Sequence, residues 1–202
     1  MAEGEIQWLV AGLGNPGPEY ERTPHNLGFL AIDRLAGRHG IRISRKEAMA
    51  LVGQGRVDGV TVLLAKPQTF MNLSGSSVNG LLVKAGLKPE RLILLYDDLD
   101  LPWTSLRVRP GGSAGGHKGV RDVIRAVGSS EFPRVRMGIH GGRREGDGAR
   151  IVLSQFGRAQ EKDLDEVVDR AAAAVESIIA DGVEMSMTRF NRRAGGLQEE
   201  EE

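Results

Sequence analysis

The sequence has no cysteine and few aromatic residues, which make up 4% of its 202 residues. The lack of cysteine excludes a disulfide scaffold, a thiol nucleophile and a thiolate metal site. No apolar run approaches the roughly 18 residues that a membrane-spanning helix needs. The first apolar run, from Trp8 to Leu13, has neither the basic flank nor the cleavage site of a secretory signal. We therefore expect a cytoplasmic protein without a membrane partner.

The chain also lacks net charge, because 27 basic side chains balance 27 acidic ones. The charges are nevertheless segregated along the sequence. Between Ser105 and Arg150 ten basic residues accompany only four acidic ones, which gives this segment a net charge of +6. Acidic residues cluster instead at 161–166 and 199–202. A local basic surface, suited to nucleic acid, is therefore expected on a protein that is neutral overall.

Apolar, β-branched runs alternate with amphipathic stretches, which is the pattern of an α/β fold. The length suits one domain. We predict a single α/β domain over residues 1–194, with a twisted mixed β-sheet flanked by helices on both faces, and an acidic disordered tail at 195–202. The predicted strands are Gln7–Gly12, Ala50–Val57, Val60–Ala65, Leu92–Tyr96, Leu106–Arg109 and Val135–Ile139, and the predicted helices are Asn26–Gly37, Asn72–Ala85, Lys118–Val127, Gln160–Asp181 and Ser186–Arg192.

The stretch "VAGLGNPG" at residues 10–17 has the spacing G-x-G-x-x-G of a dinucleotide-binding turn. In such a turn the helix begins within the motif. Here Pro16 and Pro18 favour an extended loop instead, and the first helix is predicted to begin later, with Thr23 as its N-cap and Pro24 at its first position. We interpret the stretch as a loop that follows a strand and leads to His25 at a helix start.

Two further loops carry polar residues where a strand ends. In "KPQTFMNLSG", residues 66–75, Met71 and Asn72 stand at the entry to a helix, and the amide can both donate and accept. In "YDDLDLP", residues 96–102, three carboxylates follow a strongly apolar strand. These carboxylates could bind Mg²⁺, cap turns in a solvated loop, or include one aspartate that orients a histidine base.

The segment "RVRPGGSAGGHKG", residues 107–119, contains five glycines in nine residues, 111–119, just before a predicted helix. Exposed backbone N–H groups in such a loop suit a phosphate or an oxyanion. Arg107 and Arg109 are two apart on a predicted strand and so point to one face, as do Arg134 and Arg136. Paired arginines on one face could clamp a phosphate or simply cover a solvated edge strand.

Four motifs together, "GLGNPGPEYERTPHNLGF", "KPQTFMNLSG", "DDLDLP" and "GGSAGGHKG", resemble those of bacterial peptidyl-tRNA hydrolases in order and separation. The resemblance extends from Leu9 to about Asn191. It implies a monomeric α/β hydrolase that cleaves the ester between a peptide and the 3′-terminal ribose of tRNA, which recycles tRNA in translation. Peptidyl-tRNA is thus the expected partner, and no cofactor or metal is expected.

The resemblance also implies roles for individual residues. His25 matches the family's catalytic histidine and Asp97 the aspartate that orients it. The expected substrate-binding residues are Asn15, Tyr20, Met71, Asn72, His117 and Lys118, and the expected ligands of a tRNA phosphate are Arg107, Arg109 and Arg136. Lys118 departs from the family, in which many members have asparagine. A lysine donates hydrogen bonds but cannot accept one.

Two alternatives remain at this point. A serine hydrolase could use Ser74 or Ser113, although the sequence has no G-x-S-x-G motif. A non-catalytic RNA-binding protein could share the basic surface, but would not need His25, Asp97 and the two asparagines. The complete set of four side chains favours hydrolysis by a histidine-activated water.

Overall fold

The computed structural model describes residues 4–140 and 148–191. The predicted acidic tail and the domain boundary after residue 194 lie outside these ranges, as do Arg143 and Arg144 of the basic segment. Within them the chain forms seven strands and six α-helices. The strands are β1 (Trp8–Gly12), β2 (Arg45–Glu47), β3 (Ala50–Val57), β4 (Val60–Pro67), β5 (Leu92–Pro102), β6 (Leu106–Arg109) and β7 (Arg134–His140). The helices are α1 (Leu27–Arg38), α2 (Ser74–Lys84), α3 (Lys118–Val127), α4 (Gly148–Leu153), α5 (Arg158–Asp181) and α6 (Val183–Phe190).

All seven strands belong to one mixed sheet in the order β2-β3-β4-β1-β5-β7-β6. The central strands β4, β1, β5 and β7 run parallel, whereas β2, β3 and β6 pair antiparallel at the two sides. The chain leaves β1 toward β4 and later returns on the other side of β1 as β5. Ligands of open α/β sheets bind where the strand order reverses, outside the carboxyl ends of the strands. Here that point lies between β1 and β5.

The two faces of the sheet bury separate apolar clusters, which confirms the prediction of helices on both faces. On one face, Val10 and Ile93 of the sheet pack with residues of α1 and α5 such as Ile32. On the other face, Leu9 and Leu94 pack with residues of α2 and α3. Burial of this apolar surface is the main favourable contribution to folding. None of the helices in the described ranges has the length and apolar character needed to cross a bilayer.

The helices and strands predicted from the sequence are found, although several begin or end at other residues and two short elements were not predicted. The chain enters α1 through a 3₁₀ turn, Pro24–Asn26. Thr23 lies in the extended N-cap conformation, but its hydroxyl donates to the Tyr20 carbonyl and caps no N–H group. Strand β5 continues six residues past the predicted end at Tyr96, through the three carboxylates, with an irregular register between Asp98 and Pro102. The sequence analysis missed β2 and α4, which have only three and six residues.

Gly12 of "VAGLGNPG" and Gly28 of α1 permit a backbone contact between β1 and α1. A Cβ atom on Gly12 would lie 2.6 Å from Ile32 Cγ1 and closer still to the carbonyl of Gly28. A Cβ atom on Gly28 would lie 2.6 Å from the Leu95 carbonyl of β5. Both positions therefore exclude any side chain, and α1 rests directly against the ends of β1 and β5. This contact fixes the start of α1, and with it His25, above the sheet.

Candidate active site

A crevice of about 700 Å³ opens at the carboxyl ends of β1, β4 and β5. Its walls come from the loop after β1, the entry to α2, the end of β5 and the glycine-rich loop before α3. Ten of the eleven site residues predicted from the sequence line it, namely Asn15, Tyr20, His25, Met71, Asn72, Asp97, Arg109, His117, Lys118 and Arg136. Arg107 does not line the crevice, but it lies opposite Arg136 in the pairing of β6 with β7.

His25 and Asp97 form the central pair of the crevice. Nδ1 of His25 lies 2.8 Å from Oδ1 and 2.9 Å from Oδ2 of Asp97. The carboxylate is 2% exposed, so it cannot turn to water for other partners. An ionised carboxylate only accepts, and Nδ1 of His25 therefore carries the proton. In the neutral ring Nε2 then keeps its lone pair and faces no competing proton, which is the tautomer that a general base requires.

His117 contacts the same carboxylate from the opposite wall. Its Nε2 lies 3.0 Å from Asp97 Oδ1, while its Nδ1 accepts the N–H of Val120 at 3.2 Å and so caps α3. The backbone donor fixes the tautomer, because Nδ1 must keep its lone pair and Nε2 must carry the proton. The two imidazole rings lie 5.1 Å apart between centroids, as do the rings of His117 and Tyr96. Asp97 thus accepts hydrogen bonds from two histidines.

The environment of Asp97 favours its charged form. Burial alone would raise the pKa of the Asp97 carboxyl, but the hydrogen bonds and the electrostatic attraction of the two imidazole N–H groups, from His117 and His25, outweigh burial and hold that pKa well below its ordinary value. The ligand-type atoms of these three residues all lie within 4.8 Å of one another, so a metal ion is a geometric alternative. The hydrogen bonds at 2.8–3.0 Å already join the same atoms without an ion.

Asn15 is held in the crevice wall by hydrogen bonds with two residues, Met71 and Asn26. Its side-chain oxygen accepts the N–H of Met71 at 2.8 Å. The side chain of Asn26 bonds both backbone groups of Asn15, accepting its N–H at 2.8 Å and donating to its carbonyl at 3.0 Å. Because its oxygen is occupied by Met71, the Asn15 amide group presents its NH₂ donors to the crevice. The sequence analysis missed Asn26, although its place directly after His25 was a usable signal.

The other predicted substrate-binding residues lie around the mouth of the crevice. Asn72 and Lys118 are exposed, whereas Tyr20 is half-buried at the end of a 3₁₀ turn. Met71 is buried and packs beneath them, where its sulfur would meet any Cβ atom added to Gly119. Asp122, which the sequence analysis did not single out, joins α2 to α3 by accepting the N–H of Gly75 at 2.7 Å.

The three arginines predicted to bind phosphate share one face of β6 and β7, but their surroundings differ. Arg136 donates through Nε to Asp98 at 2.5 Å, and within the described residues its two Nη groups have no protein partner. Arg107 donates to the carbonyl of Asn191, at the end of α6, at 2.8 Å. Arg109 is exposed and lines the crevice. The fourth arginine of this face, Arg134, is buried and turned inward.

The side chain of Asn191 completes the edge of the sheet beside these arginines. It accepts the N–H of Val108 at 2.7 Å and donates to the carbonyl of Val108 at 3.0 Å. These are the two bonds that a neighbouring strand would make, so Asn191 covers the open edge of β6 at that point. The position of Arg107 is therefore set by α6, a relation that nothing in the sequence pattern indicated.

Comparison with known proteins gives one consistent result. The family model described as "Peptidyl-tRNA hydrolase" matches residues 9–198. A peptidyl-tRNA hydrolase of Solibacter usitatus is 54% identical over 194 residues, covering 96% of this chain and 99% of that protein. One of Koribacter versatilis is 50% identical over 186 residues, covering 92% of each. The chain spans nearly the whole length of both relatives.

Solved structures agree with the sequence relatives. A peptidyl-tRNA hydrolase in complex with N-propanol superimposes with a TM-score of 0.86 at 32% identity, covering 95% of this chain and 97% of that one. The enzyme of Acinetobacter baumannii gives a TM-score of 0.85 at 32% identity, covering 93% and 97%. The family match, the identity over most of the chain and the shared fold lead to one conclusion: this chain belongs to the peptidyl-tRNA hydrolase family.

Proposed function

We propose that His25, oriented by Asp97, activates the water that cleaves peptidyl-tRNA in this enzyme. The reaction follows from the family: the chain is a hydrolase of the ester bond between the peptide and the 3′-terminal ribose of tRNA, and it releases peptide and free tRNA. The observation that carries the assignment of residues is the pair of contacts at 2.8 and 2.9 Å between His25 Nδ1 and the buried Asp97 carboxylate.

The proposed step needs one proton acceptor and returns the proton at its end. Nε2 of His25 takes a proton from water while the water oxygen bonds to the ester carbonyl carbon. The tetrahedral intermediate then breaks its bond to the ribose oxygen, which receives the proton from the His25 imidazolium. The ionised Asp97 stabilises that imidazolium without itself taking the proton. Since an ester has a better leaving group than an amide, no covalent nucleophile is required.

Donors around His25 are proposed to hold the substrate and the charge that develops on it. The NH₂ group of Asn15 and the exposed amide of Asn72 can each donate to a carbonyl oxygen in the crevice. Lys118, at the first position of α3, can donate to a carbonyl or phosphate oxygen. Tyr20, Met71 and His117 are proposed to shape the pocket. His117 does so from a fixed position, because both of its ring nitrogens are occupied.

The arginines of β6 and β7 are proposed to bind the RNA end of the substrate. Arg109 and Arg136 reach the crevice, and Arg107 pairs across from Arg136. A guanidinium can bind phosphate through two parallel N–H groups, and Arg136 keeps two such groups because Asp98 occupies only Nε. This arrangement supports a phosphate contact next to the crevice in which the ester would lie.

Two further properties are proposed. The first is that the enzyme is a monomer, as the resemblance to bacterial peptidyl-tRNA hydrolases implies. Peptidyl-tRNA arises in translation, which suits a cytoplasmic enzyme, and we propose that the catalytic domain extends to residue 194. Sedimentation equilibrium with and without RNA tests the first point, since a monomer mass should be found at concentrations where the enzyme is fully active.

The decisive experiment compares two substrates of equal RNA sequence. The enzyme should cleave an N-blocked aminoacyl-tRNA and leave the unblocked aminoacyl-tRNA intact, because only the blocked form resembles a peptide. Equal cleavage of both, or cleavage of neither, would contradict the proposed function. The serine-hydrolase alternative has less support, because Ser74 is fully buried and its hydroxyl donates to the Met71 carbonyl. A serine-directed acylating reagent should leave the activity unchanged.

A further inference from the structure

We infer that the glycine-rich loop contains a second phosphate-binding site, formed by the backbone N–H groups of Ser113 and Ala114 and backed by the buried guanidinium of Arg134. This inference rests on the proposed function in one respect, because it takes RNA to be the substrate. It adds backbone donors and a buried cation to the arginine side chains assigned above, of which only Arg109 lies beside this loop.

Arg134 is a buried cation that no carboxylate neutralises. It is 1% exposed. Within the described part of the chain the neighbouring arginines have acidic partners, Asp122 for Arg125 and Asp98 for Arg136, whereas Arg134 forms no ion pair. Its guanidinium lies 4.6 Å above the ring of Phe132. A buried charge without a counter-ion is unfavourable, and three carbonyl dipoles compensate it only in part. An anion nearby would complete the compensation.

The bonds of Arg134 determine which way the loop peptides face. Its Nη1 donates to the Ser113 carbonyl at 2.6 Å, and its Nη2 donates to the Gly112 carbonyl and, at 3.0 Å, to the Ser130 carbonyl. The peptide bonds are trans in the described residues, so the N–H of each peptide points opposite to its carbonyl. The carbonyls of Gly112 and Ser113 point at Arg134. The N–H groups of Ser113 and Ala114 therefore point away from it.

Those two N–H groups are successive and face the open side of the loop. Within the described ranges neither donates to another protein group, while the next anchored position is His117, whose N–H bonds the Ala114 carbonyl at 2.9 Å. Ser113 is exposed, and both residues line the crevice. Successive N–H groups on one side of a loop form a concave donor site that suits a phosphate.

Arg109 supplies an exposed charge at the same place. It is paired directly with Arg134 across β6 and β7, is exposed, and lines the same crevice. The site thus combines two fixed backbone donors, a buried cation behind them and an exposed guanidinium beside them. Glu131, an acidic residue at the base of the loop, is exposed and accepts the Ser130 hydroxyl at 2.8 Å. The chemistry selects a phosphate group of the RNA, either its 5′-terminal phosphate or an internal phosphodiester.

The test observes the two amides directly, because replacing the buried Arg134 could unfold the loop. The ¹⁵N-labelled enzyme is titrated with an RNA hairpin of acceptor-stem length, in one form with a 5′-phosphate and in another with a 5′-hydroxyl. We expect the amide signals of Ser113 and Ala114 to shift in a saturable manner. A response to both hairpins identifies an internal phosphodiester, and a response to the 5′-phosphorylated hairpin alone identifies the terminal phosphate. Unmoved amides with both hairpins, under conditions where the RNA binds, would overturn the inference.

A matched pair of variants separates this site from the one at Arg136. Arg109→Gln should weaken the response of the two amides severalfold and reduce the slope of log Kd against log salt by about one. Arg136→Gln should leave the response of these amides in place. If the response disappears in R136Q and persists in R109Q, the loop is not the site. Hydrolysis of N-blocked aminoacyl-tRNA by the unmodified enzyme is measured in parallel. Intact hydrolysis with unmoved amides would refute only this site and leave the proposed function standing.

Discussion

The two halves of the crevice differ in how deeply their polar groups are buried and in how many of those groups already have protein partners. Around Asp97 the polar groups are buried or half-buried, and among the described residues each ring nitrogen of the two histidines except Nε2 of His25 has a protein partner. Around Arg109 and Arg136 the side chains reach solvent, and donors remain for a ligand. The buried half fixes one tautomer and one orientation before substrate arrives. The open half provides charge without a rigid shape. Chemistry should therefore depend on single atoms, and RNA binding should depend on the sum of several charges.

The largest effect should come from removing the base. His25→Ala should lower kcat by about 10³-fold, within the range for loss of a general base, while the Kd for RNA stays within about twofold. Single-turnover hydrolysis and a binding titration measure the two quantities. His39→Ala is the matched control, since His39 pairs with Glu176 away from the crevice. Activity of H25A within about threefold of the unmodified enzyme would refute the assignment.

The next effect tests whether Asp97 sets the tautomer. In Asp97→Asn the single amide oxygen should accept the hydrogen bond of His117. The Nε2 atom of His117 must donate, because its other ring nitrogen accepts the N–H of Val120. The NH₂ group would then face His25 and move the His25 proton to Nε2. We expect kcat to fall by about 10²-fold, at the low end of the range for general acid–base catalysis, with little change in RNA affinity. The ¹⁵N shifts of the His25 ring report the tautomer, and an unchanged tautomer would contradict the argument.

The same variant should alter stability in acid. Because the pKa of Asp97 is depressed in the folded state, the carboxylate stabilises the fold above the ordinary aspartate pKa of about 3.9. That stabilisation is lost progressively as the pH falls below this value toward the depressed one. The free energy of unfolding should therefore vary less steeply with pH in D97N than in the unmodified enzyme below about pH 4. Urea unfolding at pH 5 and pH 3 gives this free energy for both proteins, and an equal loss between the two pH values in D97N and in the unmodified enzyme would argue against a low pKa.

A smaller effect should follow from loosening Asn15. Asn26→Ala removes both side-chain bonds to the Asn15 backbone and should lower kcat/KM about tenfold, or about 1.4 kcal/mol. Asn79→Ala, on the half-buried part of α2, is the matched control. Thermal unfolding accompanies the assay, so that activity is compared only where both proteins are folded. A loss of stability without a loss of kcat/KM would mean that Asn26 serves the fold alone.

The smallest predicted effect is on RNA binding by the open half of the crevice, which contains Arg109 and Arg136. Arg136→Gln should weaken RNA binding severalfold at fixed salt and lower the salt slope by about one, with kcat unchanged at saturating substrate. Arg56→Gln, an exposed position on β3, is the control for net charge. A fall in kcat of about tenfold would show that the two halves are not separable in the way described.

Part of the fold and part of the candidate site could be predicted from the sequence. The sheet, its strand pattern and the polar residues at strand ends follow from apolar periodicity and from loops at carboxyl ends. The resemblance supplied the pairing of His25 with Asp97, which are 72 positions apart, and the structure brings them to 2.8 Å. Their catalytic roles remain predictions until the variants above are measured.

What the sequence did not indicate depends on contacts between distant segments. The bond of Arg107 to Asn191 spans 84 positions, and the burial of Arg134 depends on how the glycine-rich loop folds back on β7. The sequence pattern does not distinguish Arg107 from Arg134. Alternation along a strand predicts the face of the sheet on which a side chain lies, but not how deeply that side chain is buried. Short elements such as β2 carry too few residues for a periodic signal.

The backbone contact of Gly12 with Gly28 has a consequence for mutational scanning of this enzyme. Neither residue can touch the substrate, yet any side chain at either position pushes α1 away from β1 and β5 and carries His25 with it. In a survey scored by activity alone, both glycines would be as intolerant as the histidine itself. A parallel measurement of the amount of folded protein would distinguish the two glycines from His25. Without that measurement, a mutational scan would count such glycines among the catalytic residues.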